Sequence, residues 1–76
     1  MITVLFFASA KEAAGVSSRT FDVSVPMSVG QFAEMLSREF PPLHALMPSI
    51  RFAVNRTITD SSGMISDGDE IAVLPP

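Results

Sequence analysis

Hydrophobic and polar residues alternate along several short stretches of this chain, which is the pattern of β-strands with one buried face. Because successive side chains of a strand point to opposite faces, each alternating stretch also indicates which residues face the core. The pattern predicts strands over residues 2–8, 19–25, 50–55 and 70–74, with a brief edge segment at 57–59.

The first predicted strand is apolar on both faces. Ile2, Val4, Phe6 and Ala8 point one way, and Thr3, Leu5 and Phe7 point the other way. Phe6 and Phe7 are neighbours, so they cannot both enter one core. One face of this strand is therefore expected to be the less buried.

A helix of about three turns is predicted after Pro26. Ser28 and Gln31 have the spacing of a capping box, and Pro41 forbids continuation of the helix. Glu34 and Arg38 are spaced i,i+4 on the polar side, where an ion pair can form. The apolar residues recur at helical spacing and predict a single stripe that lies across a sheet, made of Val29, Phe32, Ala33, Leu36 and Phe40.

Shorter elements complete the chain. Ser9 and Glu12 have capping-box spacing and Gly15 suits a helix end, so a short helix is predicted between the first two strands. A helical turn is predicted over residues 43–48, and Asn55-Arg56 is predicted to be a turn. The crossover helix should deliver the chain to a strand that pairs parallel with an existing one. The predicted class is α+β: a ubiquitin-like β-grasp, with a mixed sheet of about five strands and one main helix across one face.

Composition limits what this fold can do. The 76 residues form one domain, 1–76, with a formal net charge of −3 and no cysteine. The negative charge argues against nucleic acid and anionic membrane as partners. The apolar start lacks a basic lead-in and is too short to span a bilayer, so we expect a cytoplasmic protein.

No self-sufficient catalytic group of residues is visible in the sequence. His44 is the single histidine and has no obvious metal-binding partner. Asp67, Asp69 and Glu70 lack the remaining ligands of a calcium loop, so turn chemistry explains them better. If the protein takes part in a reaction, we expect it to act as a carrier or as a partner, and not as an enzyme by itself.

Exposed apolar residues are the more informative feature. Phe7, Ile58 and Leu74 fall on the strand phase opposite the helix-facing one. A sheet covered by one helix leaves its other face to water unless something binds there. Two interpretations stay open on the pattern alone: loops partly cover these side chains, or they form a protein-binding patch.

Several segments resemble, in order and spacing, the small sulfur-carrier subunit of molybdopterin synthase. The resemblance covers essentially the whole chain and is most specific in the Ala-Val-Asn-x-Thr segment at 53–57 and in Asp-Gly-Asp-Glu-Ile-Ala at 67–72 followed by Pro75-Pro76. It also includes Val-Leu-Phe-Phe-Ala at 4–8, Lys11-Glu12 and Gly15. It implies a β-grasp fold, in agreement with the alternation pattern.

The resemblance also implies a chemistry and a set of partners. Such carriers end in a flexible Gly-Gly tail, which we expect beyond Pro76. An E1-like adenylating enzyme uses ATP to activate the terminal carboxylate, and a sulfur donor (a cysteine desulfurase or a rhodanese-like protein) converts it to a thiocarboxylate. The large subunit of molybdopterin synthase then uses the sulfur, within a heterotetramer, to convert cyclic pyranopterin monophosphate to molybdopterin. No cofactor is expected to bind the carrier itself, and the catalytic residues belong to the large subunit.

By the same resemblance, Phe7, Ile58 and Leu74 match apolar positions through which the carrier contacts its partners, with Pro75 and Pro76 leading into the tail. Lys11 and Arg56 are candidates for polar contacts at the rim. Two other functions stay open at this point. One is a ubiquitin-like binding module that transfers nothing, and the other is a sulfur carrier for thiamine or cysteine synthesis.

Overall fold

A computed structural model describes the whole chain, Met1–Pro76. It contains seven strands, two α-helices and one 3-10 helix. In chain order they are β1 (Ile2–Phe6), α1 (Ala8–Ala14), β2 (Ser18–Phe21), β3 (Met27–Ser28), α2 (Val29–Glu39), the 3-10 helix (Pro41–Ser49), β4 (Arg51–Val54), β5 (Thr57–Thr59), β6 (Met64–Ile65) and β7 (Glu70–Leu74).

The main sheet has five strands in the order β2-β1-β7-β4-β5, so the last strand of the chain lies at its centre. β7 pairs parallel with β1 and antiparallel with β4. The mixed five-stranded sheet with α2 on one face confirms the predicted β-grasp class. The parallel pair was assigned to the wrong strand, however, because β4, which follows the helices, pairs only antiparallel.

The core lies between α2 and one face of this sheet. Its strand residues have the predicted inward phase: Ile2, Val4 and Phe6 from β1, Phe52 from β4, and Ile71 and Val73 from β7. Phe32 and Leu36 of α2 are fully buried against them. The rings of Phe32 and Phe52 meet edge to face, with centroids 5.8 Å apart. The apolar stripe of α2 therefore packs where its spacing predicts.

The start of α2 confirms the predicted capping box. The backbone N–H of Gln31 donates to the Ser28 hydroxyl at 3.1 Å, and the Ser28 N–H donates to the Gln31 side chain at 2.9 Å. The helix ends just before Pro41, as predicted. The expected Glu34–Arg38 ion pair is not formed. The helix instead forms its ion pair between elements, at 3.0 Å from Glu39 to Arg19 of β2.

The first helix differs from its prediction at the start and agrees at the end. Its N-cap is Phe7, which makes no side-chain capping bond, so the predicted Ser9–Glu12 capping box is wrong. Ala8, at φ 49°, turns the chain out of β1 before Ser9 is reached. Gly15 ends the helix in the left-handed conformation, at φ 78°, as predicted.

The first two strands end earlier than the alternation predicted. β1 ends at Phe6 and not at residue 8, because Ala8 already belongs to α1. β2 ends at Phe21, whereas the alternation predicted a strand to residue 25. Val23 and Val25 pack against the core but do not pair with a neighbouring strand. The alternation at these positions therefore reflects burial and not strand pairing. Beyond them, Met27–Ser28 pairs with Met64–Ile65 in a small second sheet that was not predicted.

Candidate functional site

The sheet face opposite α2 carries an apolar row that crosses four strands. In register, Leu5 of β1 lies beside Ala72 of β7, Ala72 beside Ala53 of β4, and Ala53 beside Ile58 of β5. Paired residues of a sheet point to the same face, so these four side chains share the face away from the core. Two alanines form the floor of the row, and Leu5 and Ile58 rise at its ends.

A second row lies at the end of the sheet where β7 finishes. Arg51 of β4 is in register with Leu74 of β7. The pairing of Phe6 with Val73, continued by one extended residue, places Phe7 on the other side of Leu74. We define the open face as the apolar side chains of both rows: Leu5, Phe7, Ala53, Ile58, Ala72 and Leu74.

Exposure distinguishes the edges of the open face from its floor. Phe7 is 46% exposed and Ile58 is 60% exposed, although both are large apolar residues. Ala53, in the floor of the first row, is only 5% exposed. Leu74 is half-buried in the second row, between Phe7 and Arg51. The result is a shallow apolar surface of the kind that marks protein–protein contact sites.

The structure brings most of the candidate site residues to one end of the sheet. Pro75 and Pro76 follow Leu74 directly, outside the strand. Lys11 lies on the other flank, where its N–H donates to the Phe7 carbonyl at 3.2 Å and its side chain lines a groove with Leu5 and Phe7. Ile58 joins them across the sheet through Ala53.

Arg56 is the candidate that the structure separates from the others. It lies in the β4–β5 turn, at the end of the sheet where β7 begins and not where it finishes. Arg51 is the reverse case, because sequence reasoning missed it although it lies beside Leu74. The signal was the strand phase: Phe52 points inward, so its neighbour Arg51 points to the open face.

The turn at Asn55-Arg56 explains one of the sequence motifs. Both residues have positive φ, 49° and 71°, as a tight hairpin turn requires. The Asn55 side chain donates to Asp69 at 2.9 Å and accepts from the Glu70 N–H at 3.0 Å. Asp69 in turn accepts from the Ser66 N–H at 2.8 Å. The motif asparagine thus joins the β4–β5 turn to the turn that precedes β7.

We therefore expect Asn55→Ala to lower the free energy of unfolding by about 1–2 kcal/mol, through loss of both hydrogen bonds and of a residue type that tolerates positive φ. Urea denaturation followed by circular dichroism measures this change. Arg56→Ala is the matched control, because it keeps a non-glycine residue at positive φ and removes only the long side chain. The control is expected to stay within about 0.5 kcal/mol of the parent. Equal losses in both variants would contradict the role given to the Asn55 amide.

The acidic residues before β7 are occupied by turn contacts. The Asp67 carboxylate contacts the Met1 amino group, and the hydrogen bond and charge of that amine lower the pKa of Asp67. In the loop after β5, a hydrogen bond from the Ser62 hydroxyl lowers the pKa of Asp60, helped by the Ser62 N–H. No group of three or more histidine, aspartate or glutamate side chains is arranged to hold a metal ion.

His44 lies away from the open face. It is exposed on the 3-10 helix and lines a groove between that helix and α2, with Ser37 and Arg38 among its neighbours. This groove is on the helix side of the sheet.

No helix in the structure combines the length and apolar character that crossing a membrane requires.

Comparison with known proteins supplies a family for this arrangement. The ThiS family profile matches residues 4–76. A molybdopterin synthase sulfur carrier subunit from Chlamydomonas reinhardtii is 31% identical in an alignment 77 residues long, which covers 99% of this chain and 93% of the relative.

Two solved structures show the same fold. A putative molybdopterin converting factor subunit 1 from Pyrococcus furiosus aligns with a TM-score of 0.87 at 20% identity, over 99% of this chain and 95% of that one. A chain of the complex of subunits 1 and 2 of molybdopterin-converting factor from Helicobacter pylori aligns with a TM-score of 0.72 at 24% identity, over 99% and 92%.

Proposed function

Because the chain belongs to the ThiS family and resembles sulfur carrier subunits over nearly its whole length, we propose that it carries sulfur for molybdenum-cofactor biosynthesis, as the small subunit of molybdopterin synthase. The observation that supports this most directly is the full-length relationship at 31% identity. The open face supplies a second, physical reason, because it offers a partner an apolar surface beside the end of β7.

The chemistry of the proposal takes place beyond the folded domain. A carboxylate is a poor electrophile, so an E1-like enzyme first joins the terminal carboxylate to the α-phosphate of ATP and releases pyrophosphate. The outer sulfur of a persulfide on the sulfur donor then displaces AMP from the acyl adenylate and forms an acyl disulfide. A second thiol attacks the donor's own sulfur, forms a disulfide with it and releases the thiocarboxylate. Two such sulfurs complete the dithiolene of molybdopterin on cyclic pyranopterin monophosphate. We propose the cytoplasm as the location of the protein, because the adenylation step requires ATP.

The part of this chain in the reaction is to hold and aim the reacting end. Pro75 is half-buried and Pro76 is exposed just past the central strand. Proline fixes φ near −65° and keeps the chain extended, which directs the following residues away from the sheet. A Gly-Gly tail of about four more residues would reach roughly 12–14 Å, enough to enter a partner's active site. Glycines suit a narrow channel because they have no side chain to obstruct it.

The partner in the last step is a larger subunit that supplies the catalytic side chains. The Helicobacter pylori relative of this fold is seen in a complex of subunits 1 and 2, which supports a two-subunit assembly here. In the proposed complex the open face contacts the large subunit while the tail enters its active site. A cysteine desulfurase or a rhodanese-like protein is the proposed source of the sulfur.

Intact-mass measurement tests the proposal. The protein is expressed from its complete reading frame and incubated with ATP, the adenylating enzyme and a sulfur donor. We expect the mass of a chain that extends to Gly-Gly, and then the gain produced when one oxygen is replaced by sulfur. Omission of ATP is the control and should prevent the gain. An unchanged mass in the complete reaction would make the protein a binding module and not a carrier.

A further inference from the structure

Arg51 lies beside the apolar side chains of the open face. It is not part of the apolar pattern, and the hydrogen bonds around Asn55 do not involve it. It lies beside Leu74 in register, its side chain is exposed, and no ion pair engages it. Arg19 is the contrasting case. Its guanidinium lies 5.0 Å from the Phe21 ring centroid and forms an ion pair with Glu39. The fold therefore provides partners for Arg19 and none for Arg51.

Lys11 is a second unpaired cation at the same end of the sheet. It lies on the β1 flank, against Phe7, while Arg51 lies on the β4 flank. β1 and β4 are separated only by β7, so the backbones on the two flanks are about 10 Å apart. The two cations thus flank the Phe7–Leu74 row just where the chain leaves the sheet.

No acidic side chain forms an ion pair with either cation, and this includes Glu12, which follows Lys11 in α1. Asp67, Asp69 and Glu70 lie at the other end of β7, among their turn contacts. Asp60 lines a groove with Arg51 but accepts hydrogen bonds from Ser62 and forms no ion pair with the arginine. A chain with a net charge of −3 therefore presents two unpaired cations where it leaves β7.

Burial of an unpaired guanidinium in an interface is costly unless the partner supplies an opposite charge. Arginine is also suited to this task, because its planar fork matches a carboxylate with two parallel hydrogen bonds. We infer that Arg51, assisted by Lys11, pairs with carboxylates of the large synthase subunit that flank the point where the tail enters, an inference that rests on the proposed function. Such pairs orient the carrier and speed its association.

Binding kinetics with the large subunit from the same organism test this inference. We expect Arg51→Glu to slow association about 10-fold or more at low ionic strength, and Arg51→Gln to have a smaller effect in the same direction. At about 1 M salt the difference between the variants and the parent should largely disappear, because the screening length falls to roughly 3 Å. Arg38→Glu makes the same charge change on α2, on the helix side of the sheet, and is expected to stay within about twofold of the parent.

Four outcomes overturn the inference, and they are distinguishable. Equal effects of Arg51→Glu and Arg38→Glu would mean that only net charge matters. A loss in Arg51→Glu that persists undiminished at high salt would indicate a packing effect. Failure of the parent protein to bind the large subunit would overturn the proposed function together with this inference, whereas parental binding that Arg51→Glu leaves unchanged overturns the inference alone.

Discussion

Leu74→Asp is expected to weaken binding to the large synthase subunit at least about 100-fold, because it places an uncompensated carboxylate in the middle of an apolar contact. Leu74 lies between Phe7 and Arg51 on the open face. The new carboxylate would also neutralise Arg51, which removes charge that the partner is proposed to use. Both effects act in the same direction. Isothermal titration calorimetry with the large subunit measures the loss.

A matched control separates this contact from a general effect of polarity. Met64 is 56% exposed on β6 of the small second sheet, away from the open face, so Met64→Asp makes a similar apolar-to-acid change elsewhere. It is expected to bind like the parent. Thermal unfolding should show that both variants stay folded, with the free energy of unfolding changed by about 1 kcal/mol or less. Unfolding of Leu74→Asp, or parental affinity in that variant, would rule out the open face as the contact surface.

Phe32→Ala is expected to lower the free energy of unfolding by about 3–5 kcal/mol, the range for truncation of a buried aromatic residue. Phe32 is completely buried in α2 and packs edge to face against Phe52. Small domains typically have a total stability of only about 5–15 kcal/mol, and a 76-residue domain belongs near the lower end. We therefore expect a large fraction of the variant to be unfolded at 37 °C, measured by urea and thermal denaturation.

Phe7→Ala is the control, because it makes the same substitution on a side chain that is 46% exposed. Its unfolding free energy should change by less than about 1 kcal/mol, since little buried apolar surface is lost. Its affinity for the large subunit should fall, as expected for an aromatic residue in a contact. The two variants thus separate stability from binding. A Phe7→Ala variant as unstable as Phe32→Ala would place Phe7 in the core.

Local signals predicted the elements that local interactions form. The capping box at Ser28, the stop before Pro41 and the left-handed Gly15 all depend on residues within one or two turns, and the structure confirms each. The Ser9–Glu12 spacing failed because Phe7 and Ala8 had already determined where the first helix begins. The spacing of Ser9 and Glu12 is compatible with a capping box, but the end of β1 determines where the helix begins.

The spacing of residues along the sequence could not predict which strands pair in the sheet. The alternation in β7 correctly predicted that Ile71 and Val73 point into the core. It contains no information about which strands pair with β7. The same limit applies to the open face. Strand phase predicted that Phe7 and Ile58 lie on the face opposite the helix and left open whether loops cover them. The structure shows that both are exposed, and the register shows that Ala53 and Ala72 lie between Ile58 and the β1 side of the sheet.

The polar candidates show this limit most clearly. Sequence order places Arg56 only five residues after Arg51, yet the hairpin puts them at opposite ends of the sheet. Only the strand register shows that Arg51 lies at the end of the sheet where the chain leaves β7 and that Arg56 lies at the other end. The interface roles of Lys11 and Arg56 remain predictions.

The central place of β7 has a consequence for how the protein is made. The ribosome synthesises β7 after all the other strands, and until then β1 and β4 have no strand between them. A nascent or truncated chain can form the β1–β2 and β4–β5 hairpins but cannot join them into one sheet. In the proposed function, the strand that completes the sheet would also carry the end of the chain that is activated. If the proposed adenylating enzyme contacts the open face, it would act only on chains in which β7 has joined the sheet.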